Sequence, residues 1–170
     1  ALNGSVYALA ANRGAVYVGG FFTTAGGSSA NNIARWDGTN WSALGSGLGN
    51  GVFALAADDG GVYAGGAFTN AGGVAARYIA RWDGTNWSAL GSGIEDGGGR
   101  ALACLGNHLI VGGNFVTTGG VATYNIAQWN DGRWFALNHG LNDAVRAIAT
   151  GGTNICVAGS FTKAAGVLAN

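Results

Sequence analysis

Apolar positions along the chain fall in short runs that are rich in valine, isoleucine and aromatic residues and are bounded by glycine, asparagine and aspartate. Runs of this composition with these boundaries are typical of β-strands. No stretch keeps the spacing of about 3.6 residues that marks an amphipathic helix. Asp-Gly pairs, which favour tight hairpins because glycine accepts a positive φ, begin at Asp37, Asp83 and Asp131. The pattern therefore predicts an all-β chain of short antiparallel strands.

These strands recur as a unit. Residues 32–47 return almost letter for letter at 78–93 and in a more divergent form at 125–140. A block that begins Val-Tyr-x-Gly-Gly-x-Phe occupies 16–23, and related blocks follow at 62–69, 109–116 and 155–162. The equivalent residues Ile33, Ile79 and Ile126 are 46 and 47 positions apart. A period of about 40–50 residues is typical of stacked or radial repeat proteins, most often of propeller blades.

Each unit contains four segments of strand character, which we expect to form a four-stranded antiparallel blade of a β-propeller. The units begin near residues 5, 51, 99 and 144, and they predict a single propeller segment over residues 1–170 with blades of 46–47 residues. Alanine and glycine dominate the first two strands, which suits a crowded axis, and longer loops are expected after the second and fourth strands. The alternative fold is a β-solenoid, although its rungs are normally much shorter.

Paired glycines and tryptophans give the unit a resemblance to kelch-type repeats. The paired glycines are Gly19-Gly20, Gly65-Gly66 and Gly112-Gly113, from which Ala158-Gly159 departs. The tryptophans lie in the third and fourth strands, where we expect them to pack between blades: Trp36, Trp82, Trp129, Trp41, Trp87 and Trp134. The units are similar to kelch-like arrays of bacterial secreted or surface proteins and to fungal cell-polarity marker proteins. The resemblance implies a propeller in a secreted or cell-surface protein, without indicating a ligand.

The number of strands predicts an incomplete ring. The chain holds four copies of the first two strands and three copies of the last two, which amounts to about three and a half blades, whereas propellers typically have about four to eight. The second strand of the last unit is expected to expose an edge that invites pairing. We therefore expect either the rest of a longer chain or another copy of this chain to complete the ring.

Composition narrows the classes of function. Charged residues make up 9% of the 170 residues, and 8 basic side chains balance 8 acidic ones, so nucleic-acid binding, which needs a basic excess, is not predicted. No apolar run is long enough for a membrane-spanning helix. His108 and His139 have no recurring partners, and Cys104 and Cys156 lack metal-site spacing, so neither a metal nor a cofactor is predicted. The cysteines are expected to be small buried residues or, alternatively, a disulfide between neighbouring blades.

A non-enzymatic function is the main expectation. We expect a rigid propeller scaffold that acts as a structural or interaction module of a larger secreted or cell-surface protein, with a protein or a glycan as its ligand. The alternative is carbohydrate binding by tryptophan, asparagine and aspartate in the inter-strand loops. Some kelch-like propellers are copper oxidases, but such an enzyme would need a Tyr/His/Cys constellation that this sequence lacks.

The candidate ligand site lies in the first strand of each unit. Tyr7 and Phe53 occupy one repeat position in the first two units, and Arg100 and Arg146 occupy it in the next two. This position is near the expected axis, where a charge has to be hydrated or paired. The four residues are predicted either to fill a polar central channel or to recognise an anionic or carbonyl group at its mouth.

Overall fold

A computed structural model describes residues 1–169, and all of the regular structure in this range is β. The first unit comprises β1 (Ser5–Asn12), β2 (Ala15–Phe21), β3 (Thr24–Ala25), β4 (Ser28–Ser29), β5 (Ile33–Trp36) and β6 (Trp41–Ala43). The second comprises β7 (Val52–Asp58), β8 (Gly61–Gly66), β9 (Asn70–Ala71), β10 (Val74–Ala75), β11 (Ile79–Trp82) and β12 (Trp87–Ala89). The third comprises β13 (Gly98–Leu105), β14 (His108–Asn114), β15 (Thr117–Thr118), β16 (Val121–Ala122), β17 (Ile126–Asn130) and β18 (Arg133–Ala136). The fourth comprises β19 (Val145–Gly151), β20 (Asn154–Gly159), β21 (Lys163–Ala164) and β22 (Val167–Leu168).

The predicted all-β class is confirmed, and four-stranded antiparallel sheets form in three of the units. Their strand orders are β1-β2-β5-β6, β7-β8-β11-β12 and β13-β14-β17-β18. In the fourth unit β19 pairs with β20 alone, within the range that the structure describes. Residues 1–169 contain no helix of the length and hydropathy needed to cross a membrane.

A small hairpin follows the second strand of every unit, where the sequence predicted only a loop. In the first unit Ala25 of β3 pairs with Ser28 of β4, and the other units repeat the arrangement. An isolated bridge ties each hairpin to the segment before the first strand, as between Leu2 and Ala25. The loop prediction is wrong here because strands of two residues are too short to carry a readable apolar pattern.

A β-bulge interrupts the first strand of every unit. The register skips one residue between two paired neighbours, such as Val6 and Ala8 in the first unit. The residues left out of the pairing are Tyr7, Phe53, Arg100 and Arg146. A bulge changes the direction of a side chain relative to the alternation of the strand, so the same repeat position is redirected in all four units.

The two glycines of each pair are required by different close contacts. The second glycine lies opposite the bulge, and a Cβ on Gly20 would collide with the backbone oxygen of Ser5. The first glycine faces the next unit, since a Cβ on Gly19 would lie 2.5 Å from Val52 Cγ1. Ala158 stands at this first position in the fourth unit, where its side chain is exposed. The departure from the glycine pair therefore falls where no following unit within residues 1–169 requires a close approach.

Tryptophans of the fourth strand in each sheet join neighbouring units. Trp87 Nε1 donates a hydrogen bond of 2.8 Å to the backbone oxygen of Leu44, and Trp134 Nε1 donates one of 2.9 Å to that of Leu90. In both cases the buried indole belongs to one unit and the carbonyl to the preceding one. The prediction that tryptophans pack between units is confirmed at these two positions, while Trp41 in the first unit is only half-buried.

The cysteines differ from the sequence prediction. Both are free thiols, so the alternative of an inter-unit disulfide is wrong. Cys104 is half-buried, and burial raises the pKa of its thiol to about 12. Cys156 is exposed, although the equivalent residue Ile110 in the third unit is fully buried. The expected burial fails at Cys156 because the fourth sheet is not covered by another unit in the described range.

Candidate functional site

A central cleft of about 400 Å³ is lined by Tyr7, Phe21, Phe53, Arg100 and Arg146. The first strand of each unit contributes one residue, and the first unit adds Phe21 from the end of β2. The structure thus brings together all four residues selected from the sequence. In a straight stack, equivalent positions of four units would lie along a line. Their convergence on one cleft indicates units arranged around a common centre and disfavours the solenoid alternative.

The β-bulges account for the position of these side chains. Each of the four first-strand residues is the unpaired member of its bulge. Their neighbours in the ladder, such as Val52 and Ala54, point into the interfaces between units and are buried. The bulge residues instead line the cleft, where residues of neighbouring units contact one another, and bulges of this kind are common beside binding sites.

One side of the cleft is aromatic. The ring centroids of Tyr7 and Phe21 are 5.8 Å apart with an interplanar angle of 86°, and those of Tyr7 and Phe53 are 6.2 Å apart at 85°. Phe21 and Phe53 complete the triangle, with centroids 5.9 Å apart. These edge-to-face contacts are favourable for aromatic pairs. Tyr7 and Phe21 nevertheless remain 58% and 43% exposed, so a large part of their ring surface faces the cleft or the solvent.

The other side of the cleft is cationic. Arg100 Cζ lies 5.9 Å from the ring centroid of Phe53, within the range of a cation–π contact. Arg146 Nε donates a hydrogen bond of 3.2 Å to Ser160 Oγ. No carboxylate side chain of residues 1–169 lies within 4.0 Å of either guanidinium. Both arginines are exposed, so the cleft combines two uncompensated cations with an open aromatic surface.

Sequence reasoning missed Phe21 and Ser160, which occupy the same repeat position after the glycine pair. In the first unit an aromatic residue at this position packs against the bulge residue Tyr7, and in the fourth unit a hydroxyl accepts a hydrogen bond from the bulge residue Arg146. The sequence does contain a sign of this position, because the residue varies between units while the phenylalanine that follows it recurs. Variation at a single position does not by itself indicate which side chain it contacts, so the sequence alone did not place this position beside the bulge.

Other candidate groups serve local structure. His108 Nδ1 lies 3.1 Å from Gln128 Nε2 on the neighbouring strand, and His139 is exposed in the segment after β18. Glu95 and Asp96 both accept hydrogen bonds from backbone N–H groups of the third unit. Over the described residues, no three histidine, cysteine or acidic side chains come together in a group that could hold a metal ion.

The hairpin aspartates are occupied by their own turns. Asp37 Oδ1 accepts hydrogen bonds of 2.7 and 2.8 Å from the backbone N–H groups of Asn40 and Thr39, and these bonds lower the pKa of Asp37 below its usual range. Asp83 repeats the arrangement in the second unit. Trp87, in the strand that follows the second of these turns, is buried between units and offers no open aromatic surface there.

The sheets, their common centre and the cleft define an all-β repeat protein of the propeller-like class. A family model described as a beta-propeller domain of unknown function (DUF5122) matches residues 14–37, a short stretch that includes β2 and β5. This similarity supports a propeller-like fold, and the kelch type stays a prediction. No curated protein matches the chain significantly.

Two solved structures of computationally designed proteins are similar to the chain. The Ika4 protein aligns over 92% of this chain and 88% of its own, with a TM-score of 0.56 and 19% identity. The Ika8 protein aligns over 92% of this chain and 44% of its own, with a TM-score of 0.54 and 21% identity. The chain thus spans less than half the length of Ika8. At these identities the likeness concerns the fold alone.

Proposed function

We propose that the chain is a non-enzymatic, propeller-like scaffold, a structural or interaction module whose two end faces pack against further repeat units. One observation supports this proposal above all. Side chains that are buried between units in the interior of the array are exposed at its ends. Apolar surface that recurs and is buried elsewhere in the same molecule is a strong indication of an interface.

The exposed face of the first unit is the clearest case. Leu9 is 64% exposed, whereas its equivalents Leu55 and Leu102 are 8% exposed because each packs against the preceding unit. Val6 is likewise exposed, and its equivalent Val52 is fully buried against the first unit. The first unit therefore presents the surface that the second and third units use for docking.

The fourth unit presents the opposite half of the same interface. Its strand β20 has no third strand beside it within residues 1–169, and a groove of about 250 Å³ lies next to it, lined in part by Leu137, Ile155 and Val157. In the third unit the equivalents of the last two, Leu109 and Val111, are fully buried. An uncovered strand edge beside an apolar groove favours the addition of further strands.

Hydrogen bonding at Leu137 supports an occupant of the same repeat type. The equivalent carbonyls of Leu44 and Leu90 each accept an indole N–H from the next unit. The Leu137 carbonyl accepts a hydrogen bond of 3.0 Å from the Gly140 N–H, and no indole reaches it in the described part of the chain. We infer that the third and fourth strands of a repeat unit, supplied by a longer chain or by another copy, cover the groove and complete the ring.

Sedimentation equilibrium tests the version in which another copy binds. The expected mass at micromolar concentration is a multiple of 16.9 kDa. The variant Leu9→Glu is expected to reduce it to that of one chain, because a carboxylate would have to be buried in an apolar face. Val74→Glu is the matched control, since Val74 is also exposed but lies in the small strand β10. A parent chain that stays at 16.9 kDa at every concentration contradicts this version.

A synthetic peptide tests the surface whatever its natural source. A peptide with the sequence of residues 32–47 carries the third and fourth strands, including Trp41, and is expected to bind the chain in a saturable manner. The same peptide with Trp41 replaced by phenylalanine lacks the indole N–H and is expected to bind about tenfold more weakly. Absence of peptide binding by a monomeric chain would refute the proposed interface.

Carbohydrate binding is the second candidate function. The observation that favours it is the exposed ring surface of Tyr7 and Phe21 in the cleft, because aromatic rings offer flat apolar faces with a defined geometry. A glycan array with the parent chain and with Tyr7→Ala tests this candidate. A specific signal that disappears in the variant supports it, and an array without signal speaks against it.

The kelch type and a secreted or cell-surface location are also proposals, and they rest on the repeated glycine and tryptophan motif. Antibody detection in the culture medium, on intact cells and in the cell lysate of the source organism tests the location. Detection in the lysate alone would contradict it.

A further inference from the structure

We propose that the central cleft binds an organic carboxylate carried on a six-membered ring, with the carboxylate at Arg100 and Arg146 and the ring against Tyr7, Phe21 and Phe53. This inference goes beyond the scaffold function, which requires only the end faces. It also extends the candidate site by assigning the two sides of the cleft to two parts of one ligand.

The positive charge of the cleft favours binding of an anion. Two guanidinium groups lie on one side of it, and no carboxylate side chain of residues 1–169 lies within 4.0 Å of them. The whole chain has a formal net charge of 0, so this is a local excess rather than a general basic character. A guanidinium group presents parallel N–H donors that match the two oxygens of a carboxylate. The counter-charge has to come from the solvent or from a ligand.

Both arginines are held in position by uncharged partners. Arg100 lies over the ring of Phe53 at 5.9 Å, and Arg146 uses Nε for its hydrogen bond to Ser160. Neither contact neutralises the charge, and the hydrogen bond leaves the terminal Nη donors of Arg146 for another acceptor. Positioned but uncompensated donors are the arrangement expected for anion recognition.

The aromatic side selects the rest of the ligand. Three rings in mutual contact form a continuous apolar surface, of which Tyr7 and Phe21 leave about half of their area uncovered. An aromatic ring can cover this surface by offset stacking, and a pyranose ring can place the C–H groups of one face against it. Because the aromatic residues come from the first two units and the arginines from the third and fourth, the cleft is polarised and fixes the orientation of an amphipathic ligand.

The dimensions of the cleft suit a small molecule. A volume of about 400 Å³ falls within the range of about 300–1,000 Å³ that is usual for small-molecule sites. The bulges fix the backbone at the four first-strand positions, so the site rests on strands rather than on loops. Two kinds of molecule carry this chemistry, aromatic acids and acidic sugars, and both place a carboxylate directly on a ring.

Calorimetric titration with four probes tests the proposal. Benzoate and D-glucuronate each carry a ring and a carboxylate, whereas D-glucose lacks the charge and acetate lacks the ring. At least one of the first two is expected to bind at least about tenfold more tightly than both of the others, since hydrogen bonds to charged groups are each worth about tenfold or more. Tighter binding of benzoate identifies an aromatic acid, and tighter binding of D-glucuronate identifies an acidic sugar.

Variants locate the binding site. The double variant with Arg100→Gln and Arg146→Gln is expected to lose at least about tenfold in affinity, and Tyr7→Ala is expected to weaken binding through loss of ring contact. Arg133→Gln is the matched control, because Arg133 is an exposed arginine of β18 outside the cleft. Circular dichroism checks that each variant folds, and the Nε–Hε resonances of Arg100 and Arg146 in NMR spectra report contact with the probe.

The proposal is overturned if neither ring carboxylate binds at millimolar concentration, if D-glucose binds as well as D-glucuronate while benzoate stays silent, or if Arg133→Gln weakens binding as much as the double variant. These outcomes are independent of the sedimentation experiment on the end faces. A chain that associates but binds no carboxylate would leave the scaffold function in place and refute the ligand.

Discussion

Replacing Trp87 by phenylalanine removes one hydrogen-bond donor from the interface between the first two units. The indole is buried, its Nε1 is 2.8 Å from the backbone oxygen of Leu44, and it touches the tight turn at Gly72, where an added Cβ would lie 2.6 Å from Trp87 Cδ1. The substitution keeps an aromatic ring at the position. Its effect therefore reports on the inter-unit contact rather than on the strand.

The expected magnitude follows from two contributions. The Leu44 carbonyl keeps a hydrogen bond of 3.1 Å from the Gly47 N–H, so loss of the indole donor costs about 1 kcal/mol rather than the larger penalty of an unpaired buried group. The smaller ring leaves a void beside fully buried neighbours, which adds about 1 kcal/mol. Together these predict that Trp87→Phe lowers the free energy of unfolding by about 2 kcal/mol.

Trp41→Phe is the matched control at the same position of the first unit. Trp41 is half-buried, and it packs against Trp36 with a centroid distance of 5.2 Å, much as Trp87 packs against Trp82 at 5.4 Å. The contact within the unit therefore cancels in the comparison. Trp41→Phe is expected to cost about 0.5 kcal/mol or less, as is usual for positions without a buried partner.

Urea unfolding followed by far-ultraviolet circular dichroism measures both variants. An unchanged slope with a lower midpoint for Trp87→Phe would indicate a loss of stability without a change in the surface exposed on unfolding. Equal destabilisation by Trp41→Phe and Trp87→Phe would refute the reasoning, because it would mean that the tryptophans stabilise each sheet separately and do not join the units.

Three further outcomes are expected. Gly112→Ala should lower the free energy of unfolding by about 1–3 kcal/mol because the new methyl group would collide with Val145 of the next unit, whereas Gly151→Ala, which meets no atom within 4 Å, should be near neutral in the same urea assay. At pH 8 a thiol reagent should modify the exposed Cys156 and leave Cys104 unreacted. Mass spectrometry of tryptic peptides measures the modification of each cysteine, and faster modification of Cys104 would contradict the prediction. Burial holds the pKa of the native Cys104 thiol at about 12, whereas in the unfolded chain it returns to its usual value of 9.0. The free energy of unfolding should therefore fall as pH rises through this interval, and Cys104→Ala should remove that part of the pH dependence.

Much of the fold was predictable because the same strand pattern recurs from one repeat unit to the next. Asp-Gly turns such as Asp37-Gly38 and the indoles of Trp87 and Trp134 could be assigned from spacing alone, since each unit confirms the others. The small hairpins could not be predicted, because Ala25 and Ser28 form strands of only two residues, whose pairing depends on contact with the segment at Leu2. Their position is therefore set by tertiary contacts rather than by local pattern.

The candidate site was predictable in part for the opposite reason. Arg100 and Arg146 are recognisable from the sequence because they depart from the repeat at the position where Tyr7 and Phe53 stand. That all four meet in one cleft follows from the bulges, and a bulge cannot be deduced from the letters of the first strand alone. The second glycine of each pair was the available sign, since Gly20 is required by the close backbone of Ser5 opposite it.

The residue at each bulge has no pairing partner in its sheet, so its side chain can vary without changing which residues pair. A change at Tyr7, Phe53, Arg100 or Arg146 alters the lining of the cleft and leaves the strand register intact. Duplication of a unit would thus add one more position of this kind to the chain. Randomising these four codons is expected to vary the surface of the cleft on one unchanged backbone.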